Sequence, residues 1–242
     1  NTAVGTFSLR DTTVSNNTAL GHSAGLGIST GTNNVAIGAF TMDAIGGTGN
    51  QNVGIGYTAL TDNTTGYQNV AVGFESMANN TSGGNNTALG RSTMFQNTTG
   101  YQNVAVGRQA LYNNSTGNSN VAIGDLAADS TTTGVGNVCV GHQSLDKNTT
   151  GSRNTAIGQF ALRDTTTSST SVAVGYGALM SNTGNGYNTA CGYQALTSGT
   201  SADNNTAVGF AALYSTTTGN ANTSCGAYAN DACTTGGSNV AV

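Results

Sequence analysis

His22 and His142 are the side chains of this sequence best suited to proton transfer or metal binding. They occupy the same position of a repeat defined below, seven copies apart. If each copy advances the chain by one β-strand spacing, about 34 Å separates them, so they cannot share a metal or a substrate. The sequence has no Ser-His-Asp set, HExxH motif or phosphate loop. We therefore predict no catalytic residue, no metal site and no cofactor.

Carboxylates offer a second kind of chemistry. Asp129 and Asp146 lie one copy apart, and two carboxylates about 5 Å apart could serve acid-base catalysis or hold a cation. This pair is what a polysaccharide-processing enzyme on a β-solenoid would need, and we keep that function as an alternative. Because Lys147 and Arg163 lie nearby in sequence, a solvated ladder of compensated charges is the simpler interpretation.

The cysteines predict no disulfide framework, since four are few for 242 residues. Cys191 and Cys225 occupy equivalent positions two copies apart, about 9.6 Å, which exceeds the reach of a disulfide. Other copies place small or apolar residues there. We expect both to be small core residues with free thiols.

These residues are positioned by a tandem repeat that begins, in nearly every copy, with Asn. Copies start at residues 1, 17, 34, 52, 69, 86, 103, 120, 137, 154, 171, 188, 205, 222 and 239. From residue 52 onward every interval is 17 residues. Positions are counted below from this Asn as zero. A short fixed period is typical of a solenoid, and 17 residues are too few for a pair of helices.

The columns of the repeat predict its local structure. The pattern Asn-[Thr/Val]-Ala-[Val/Ile/Leu]-Gly alternates as a strand does, and position four is always Gly. We predict a second extended piece at positions six to eight, ending in Leu or Met, and then a turn such as Asn63–Gly66. Position three and position eight would form the core, and the Asn column would hydrogen-bond along the stack. The prediction is an all-β, single-domain parallel β-solenoid over residues 1–242, of about fourteen coils, cut from a longer chain.

Position two is held small, which suggests that something packs closely against it. Two explanations remain open: packing within the coil, or an interface between subunits of a trimer. The candidate interface residues are Ala71, Ala88, Ala105 and Ala122.

Position five, directly after the Gly, varies freely and therefore predicts a surface column that could carry recognition. Tyr176, Tyr193 and Phe210 would stack there into a strip able to hold a glycan ring or a protein partner. The alternative is a ladder that only stabilises itself or is buried between subunits.

Composition excludes several partners. Charged residues are 7% of the chain and the net charge is -4, so no basic surface is available for nucleic acid. No apolar run approaches the roughly 18 residues that span a bilayer, so we expect no membrane insertion in this segment.

The recurring phrases NVAVG and NTAIG, and NTACGYQALTSGT at residues 188–200, resemble two families over the whole chain. These are the head repeats of trimeric autotransporter adhesins and the repeat arrays of phage-type tail fibre proteins. The resemblance implies a left-handed β-roll, usually trimeric, outside the cell or on a virion. It implies a non-enzymatic fibre or adhesin segment for surface attachment or host recognition, with a homotrimer or filament as first partner and a cell-surface glycan or protein receptor as second.

An ice-binding β-solenoid is the main alternative function. Thr recurs at positions eleven to thirteen, and regular Thr columns on a flat face could order water. Thermal hysteresis would test this directly.

Overall fold

The computed structural model describes residues 1–44, 46–184 and 186–242. These residues form an all-β fold with one short strand per repeat, and the chain divides into two compact units, Asn1–Ser119 and Asn120–Val242. The first unit contains β1 (Thr2–Val4), β2 (Thr18–Leu20), β3 (Val35–Ile37), β4 (Val53–Ile55), β5 (Val70–Val72), β6 (Thr87–Leu89) and β7 (Val104–Val106). The second contains β8 (Val121–Ile123), β9 (Val138–Val140), β10 (Thr155–Ile157), β11 (Val172–Val174), β12 (Thr189–Cys191), β13 (Thr206–Val208), β14 (Thr223–Cys225) and β15 (Val240–Ala241).

Within each unit every strand pairs in parallel with the strand of the next coil. Val70 lies opposite Thr87 and Thr155 lies opposite Val172, so equivalent positions of successive copies are in register. The prediction of a parallel β-solenoid with coils of about 17 residues is confirmed.

The predicted inside and outside of the strand are wrong. Position two points inward, and Ala88 is 0% exposed, whereas Leu89 at position three is 38% exposed. The coil interior explains this reversal, because the Leu or Met of position eight already fills it. Gly54 shows how little room is left: a Cβ there would lie 2.8 Å from Thr41 Cγ2 and 3.0 Å from Met42 Cε. Position two therefore admits only small side chains, which are Gly, Ala, Ser or Cys in this chain, and the larger β-branched residues face outward.

The second extended piece is also a wrong prediction, although its buried Leu or Met is confirmed. Positions five to nine form a turn in which positions six and eight have left-handed backbone, as in Glu75 (φ 54) and Met77 (φ 50). A left-handed residue costs roughly 1–2 kcal/mol, and burying a Leu or Met stabilises by about 1.5–3 kcal/mol. Two left-handed residues in one turn cost about as much as this burial returns, so hydrogen bonds to neighbouring coils, such as that from the Met77 N–H to the Thr93 carbonyl at 2.9 Å, also hold the conformation.

The Asn column behaves as predicted. The backbone N–H of Asn86 donates to Asn69 Oδ1 at 3.0 Å, and the Asn86 side-chain amide donates to the Gly100 carbonyl at 2.9 Å. Asn86 is fully buried, so these bonds satisfy polar groups that water cannot reach. A second Asn column, which the sequence analysis did not single out, lies at position eleven. There the Asn80 amide donates to Asn63 Oδ1 at 2.8 Å.

Candidate functional site

The three aromatic residues singled out at position five lie in contact. Tyr176 and Tyr193 stack with ring centroids 5.2 Å apart, and Tyr193 and Phe210 stack at 5.1 Å. All three remain exposed on the surface of the second unit. The predicted aromatic strip is therefore present, and its binding of a glycan or partner stays a prediction.

The strip is part of a longer ladder than the sequence analysis foresaw. Where position five holds Gln159 or Ala227, position six supplies a ring: Phe160 contacts Tyr176 edge-on at 5.6 Å, and Tyr228 contacts Phe210 at 5.2 Å. We call the resulting column of the second unit the aromatic ladder; it comprises His142, Phe160, Tyr176, Tyr193, Phe210 and Tyr228. The signal was visible in the sequence, because an aromatic residue follows Gln159 and Ala227 at the next position.

The first unit has an equivalent column with basic residues stacked on its rings. It comprises Phe7, His22, Phe40, Tyr57 and Phe74. The Arg10 guanidinium lies 5.3 Å from the centroid of Phe7, and that of Arg91 lies 5.8 Å from the centroid of Phe74. Cation–π contacts of this kind let an Arg extend an aromatic stack.

The alanines proposed for a subunit interface lie inside the coils. Ala71, Ala88, Ala105 and Ala122 are each 0% exposed within one chain. Their methyl groups pack against the interior, so they have no surface to offer a second chain. Of the two explanations for the small column, the structure supports packing within the coil.

The residues that do face outward from the strands are those of positions one and three, which we call the sheet face. In the described chain these two columns contain Val, Ile, Leu, Thr and Cys and no charged residue. Exposure is substantial, at 40% for both Ile123 and Ile157 and 49% for Leu20. On soluble proteins, contiguous exposed apolar surface of this kind often marks an interaction site.

The Thr columns of the turn are less available to water than the sequence suggested. The Thr64 hydroxyl donates to the Thr81 carbonyl at 2.9 Å, and the Thr81 hydroxyl donates to the Thr98 carbonyl at 3.0 Å. Because these hydroxyl groups donate to carbonyl oxygens of the next coil, position twelve does not present a row of hydroxyl protons that are free to bind water.

The charged residues form a compensated cluster, as predicted, but around a different carboxylate. Asp164 pairs with Lys147 at 2.6 Å and with Arg163 at 2.7 Å. Hydrogen bonds from Arg163 and then Lys147 hold the pKa of Asp164 below its ordinary value. Burial raises the pKa of Asp146.

The remaining candidates for reactive chemistry are the histidines and the cysteines. His142 lies 3.8 Å from the Asp125 carboxylate and contacts Phe160 edge-on. All four cysteines are free, but Cys191 and Cys225 are exposed on the sheet face, so their prediction as core residues is wrong. Their column faces outward, unlike that of Cys139, whose pKa is raised by full burial.

Among the residues that the structure describes, no group of three or more His, Cys, Asp or Glu side chains is placed to hold a metal ion. In the same part of the chain, no helix has the length and apolar character needed to cross a membrane.

The chain matches no protein-family model, and neither a curated protein nor a solved structure is significantly similar to it.

Proposed function

We propose that this chain is a non-enzymatic segment of an extracellular fibre or adhesin, assembled as a homotrimer of left-handed β-rolls through the sheet face. The observation that carries the proposal is the sheet face itself. Two continuous outward columns of each unit are apolar or Thr, uncharged and partly exposed. Its role would be to provide reach for attachment to a cell surface or host.

A second copy of this chain is the occupant that fits the sheet face best. A three-residue strand is about 10 Å long and neighbouring strands are about 4.8 Å apart, so the seven strands of the first unit present roughly 340 Å² and the eight of the second roughly 380 Å². A standard protein interface buries about 800 Å² on each partner. The regular register of the columns lets identical copies pack ridge against groove along their length. The repeat wording shared with trimeric adhesin heads supports three chains rather than two.

The test is the solution mass of the chain and of a sheet-face variant. We expect sedimentation equilibrium to give three chains of 24.0 kDa for the natural sequence. The double variant Ile123→Glu/Ile157→Glu places carboxylates on the sheet face and should sediment as a folded monomer, with an unchanged circular dichroism spectrum. The control is Tyr187→Glu, since Tyr187 is an exposed apolar side chain, at 64%, that lies outside the strands. A monomeric natural chain would contradict the proposal.

An ice-binding function is the second candidate, and the sheet face favours it more than the Thr turns do. Thr and Val at position one and Val, Ile or Leu at position three recur at the strand spacing, about 4.8 Å. A flat, uncharged array of β-branched side chains is a surface that could order water. Because a trimer would cover this face, the two functions exclude each other. Thermal hysteresis of a monomeric chain would favour ice binding.

A further inference from the structure

The geometry points to a carbohydrate site in a surface cleft of the second unit, where one sugar ring of a neutral glycan would be held. The inference deepens the proposed attachment function and rests on it. The cleft has a volume of about 220 Å³ and is lined by Gln194, Phe210, Ala211, Tyr214, Tyr228 and Asp231. Two of these residues, Phe210 and Tyr228, also belong to the aromatic ladder.

The cleft lies where a small residue, Ala211, stands between two larger residues of its column. Position six holds Gln194, Ala211 and Tyr228 in three successive coils. Ala211 is 5% exposed and forms the floor, with the larger side chains on either side of it along the stack. Tyr214 and Asp231 of position nine form the opposite wall.

The aromatic ladder changes its geometry at the same point. Tyr193 and Phe210 are almost parallel, with an interplanar angle of 5°, so their facing surfaces cover each other. Phe210 and Tyr228 instead meet at 64°. The regular stack is therefore broken at the cleft, where ring surface that would otherwise be paired can meet a ligand. In the stacked part of the ladder a sugar could reach only ring edges.

The polar groups of the cleft suit hydroxyl groups. Gln194 has an amide that both donates and accepts, Asp231 a carboxylate that accepts, and Tyr214 a phenolic hydroxyl. Within the described residues, these three side-chain polar groups form no hydrogen bond or ion pair. Small-molecule sites commonly combine aromatic walls with a few convergent polar groups.

Other ligand classes fit this cleft less well. The Asp231 carboxylate would repel a phosphate or sulfate, and a single carboxylate is a poor cation site. A purely apolar ligand would bury the amide and the carboxylate without partners, which costs free energy. A sugar ring satisfies both requirements, because its C–H face packs on aromatic carbon while its hydroxyls pair with the polar rim.

The test measures the binding of five probes to the full chain by saturation-transfer NMR. The probes are the methyl glycosides of glucose, galactose, mannose, fucose and N-acetylglucosamine. We expect at least one glycoside to bind, and Ala211→Gln to weaken that binding at least tenfold by filling the cleft. This substitution asks nothing new of the backbone, since Gln194 occupies the same column with φ 52, as Ala211 does. Thr58→Gln, in the same column of the first unit and also at φ 52, is the matched control and should bind as the natural chain does.

Asp231→Asn keeps the size of the side chain and provides a second variant if Ala211→Gln fails to fold. It should weaken glycoside binding several-fold. The inference is overturned if none of the five glycosides binds, or if binding survives both cleft variants. Sedimentation of the same samples separates the two proposals: a monomer that binds sugar contradicts the trimeric assembly alone, and a trimer that binds none of the probes contradicts the sugar site alone.

Discussion

Gly90 and Gly177 both have positive φ, yet the structure demands glycine at only one of them. Gly90, at position four, has φ +140, and a Cβ there would lie 2.6 Å from the carbonyl oxygen of Gly107 in the next coil. Both the backbone region and the close approach of the coils exclude any side chain. Gly90→Ala should therefore lower the free energy of unfolding by about 3 kcal/mol or more. Urea denaturation followed by circular dichroism measures this.

Gly177 is the control for that prediction. Its φ is +61, and a Cβ would make an ordinary contact with Gln194 Cγ at 3.6 Å. Other copies place non-glycine residues at this position with nearly the same φ. Gly177→Ala should change the free energy of unfolding by no more than about 1 kcal/mol. Equal losses in the two variants would show that backbone strain, and not coil contact, decides the requirement for glycine.

Asp164 should give the protein an acid-sensitive contribution to stability. Hydrogen bonds from Arg163 and Lys147 lower its pKa in the folded state, so the ionised carboxylate stabilises above the unfolded value of about 3.9. That contribution is lost as the pH falls through this value towards the lower folded pKa. The difference in melting temperature between the natural chain and Asp164→Asn should be largest near pH 7 and shrink towards zero near pH 2.

Asp146 should have the opposite effect on how stability depends on pH. Burial raises its pKa, so folding disfavours its ionised form, and its contribution becomes more favourable as the pH falls through the raised value. Asp146→Asn should leave the melting temperature at pH 7 unchanged or raise it. A loss at pH 7 similar to that of Asp164→Asn would mean that burial is not the dominant influence on Asp146.

At the scale of the element, the Asn column is the main polar support of each coil. Replacing Asn86 with Ala would leave the Asn103 backbone N–H without its 2.9 Å acceptor and would remove one of the two side-chain donors to the Gly100 carbonyl, the other being Asn97. The unsatisfied N–H costs about 1–3 kcal/mol and the lost hydrogen bond about 1 kcal/mol, so we expect Asn86→Ala to lower the free energy of unfolding by about 3 kcal/mol. Chemical denaturation of the purified variant checks the value.

Ser171 offers the reverse experiment, because it is the one copy in which this column lacks Asn. Its hydroxyl accepts from the Asn188 N–H at 3.4 Å, longer than the 2.8–3.0 Å bonds made by Asn side chains elsewhere in the column. Ser171→Asn should shorten this bond and stabilise the chain by about 1 kcal/mol. Destabilisation would show that the coil around Ser171 has adapted to the smaller side chain.

The repeat pattern was enough to predict the coil but not the direction in which its strand faces. Alternation separates Ala88 from its neighbours Thr87 and Leu89 without showing which side is inside. The prediction assumed that larger apolar residues are buried, and the coil is too narrow for that once Met94 occupies it. Left-handed backbone at positions six and eight was equally hidden, because Gln and Leu do not signal positive φ.

The candidate site was predictable only in part for a related reason. Tyr176, Tyr193 and Phe210 share one column, so their stacking followed from the period alone. The cleft depends on Ala211 and Tyr228, which both lie at position six of the left-handed turn. A linear pattern of residue types carries no record of that turn.

At the scale of the whole molecule, a fold built from equivalent coils should tolerate the loss of one complete coil. Deleting residues 69–85 joins the copy that starts at Asn52 directly to the copy that starts at Asn86. The interior columns then continue with Gly54 followed by Ala88 and Leu60 followed by Met94, and Asn52 Oδ1 can accept from the Asn86 N–H. Solenoid stability is approximately a sum of nearest-neighbour terms. We expect a folded protein with a melting temperature lowered by less than about 5 °C.

Deleting residues 69–76 removes fewer residues and should nevertheless be far more damaging. That deletion brings Met77 of the turn to where Asn69 starts its coil, so the buried amide column and the Ala column are both interrupted. The circular dichroism spectra and melting temperatures of the two deletion variants separate the effect of a broken register from the effect of a shorter chain. Because the shorter deletion leaves more of the chain in place, a greater loss of stability from it can only come from the broken columns. Similar melting temperatures would mean that neighbouring coils reform without the register on which the fold is built.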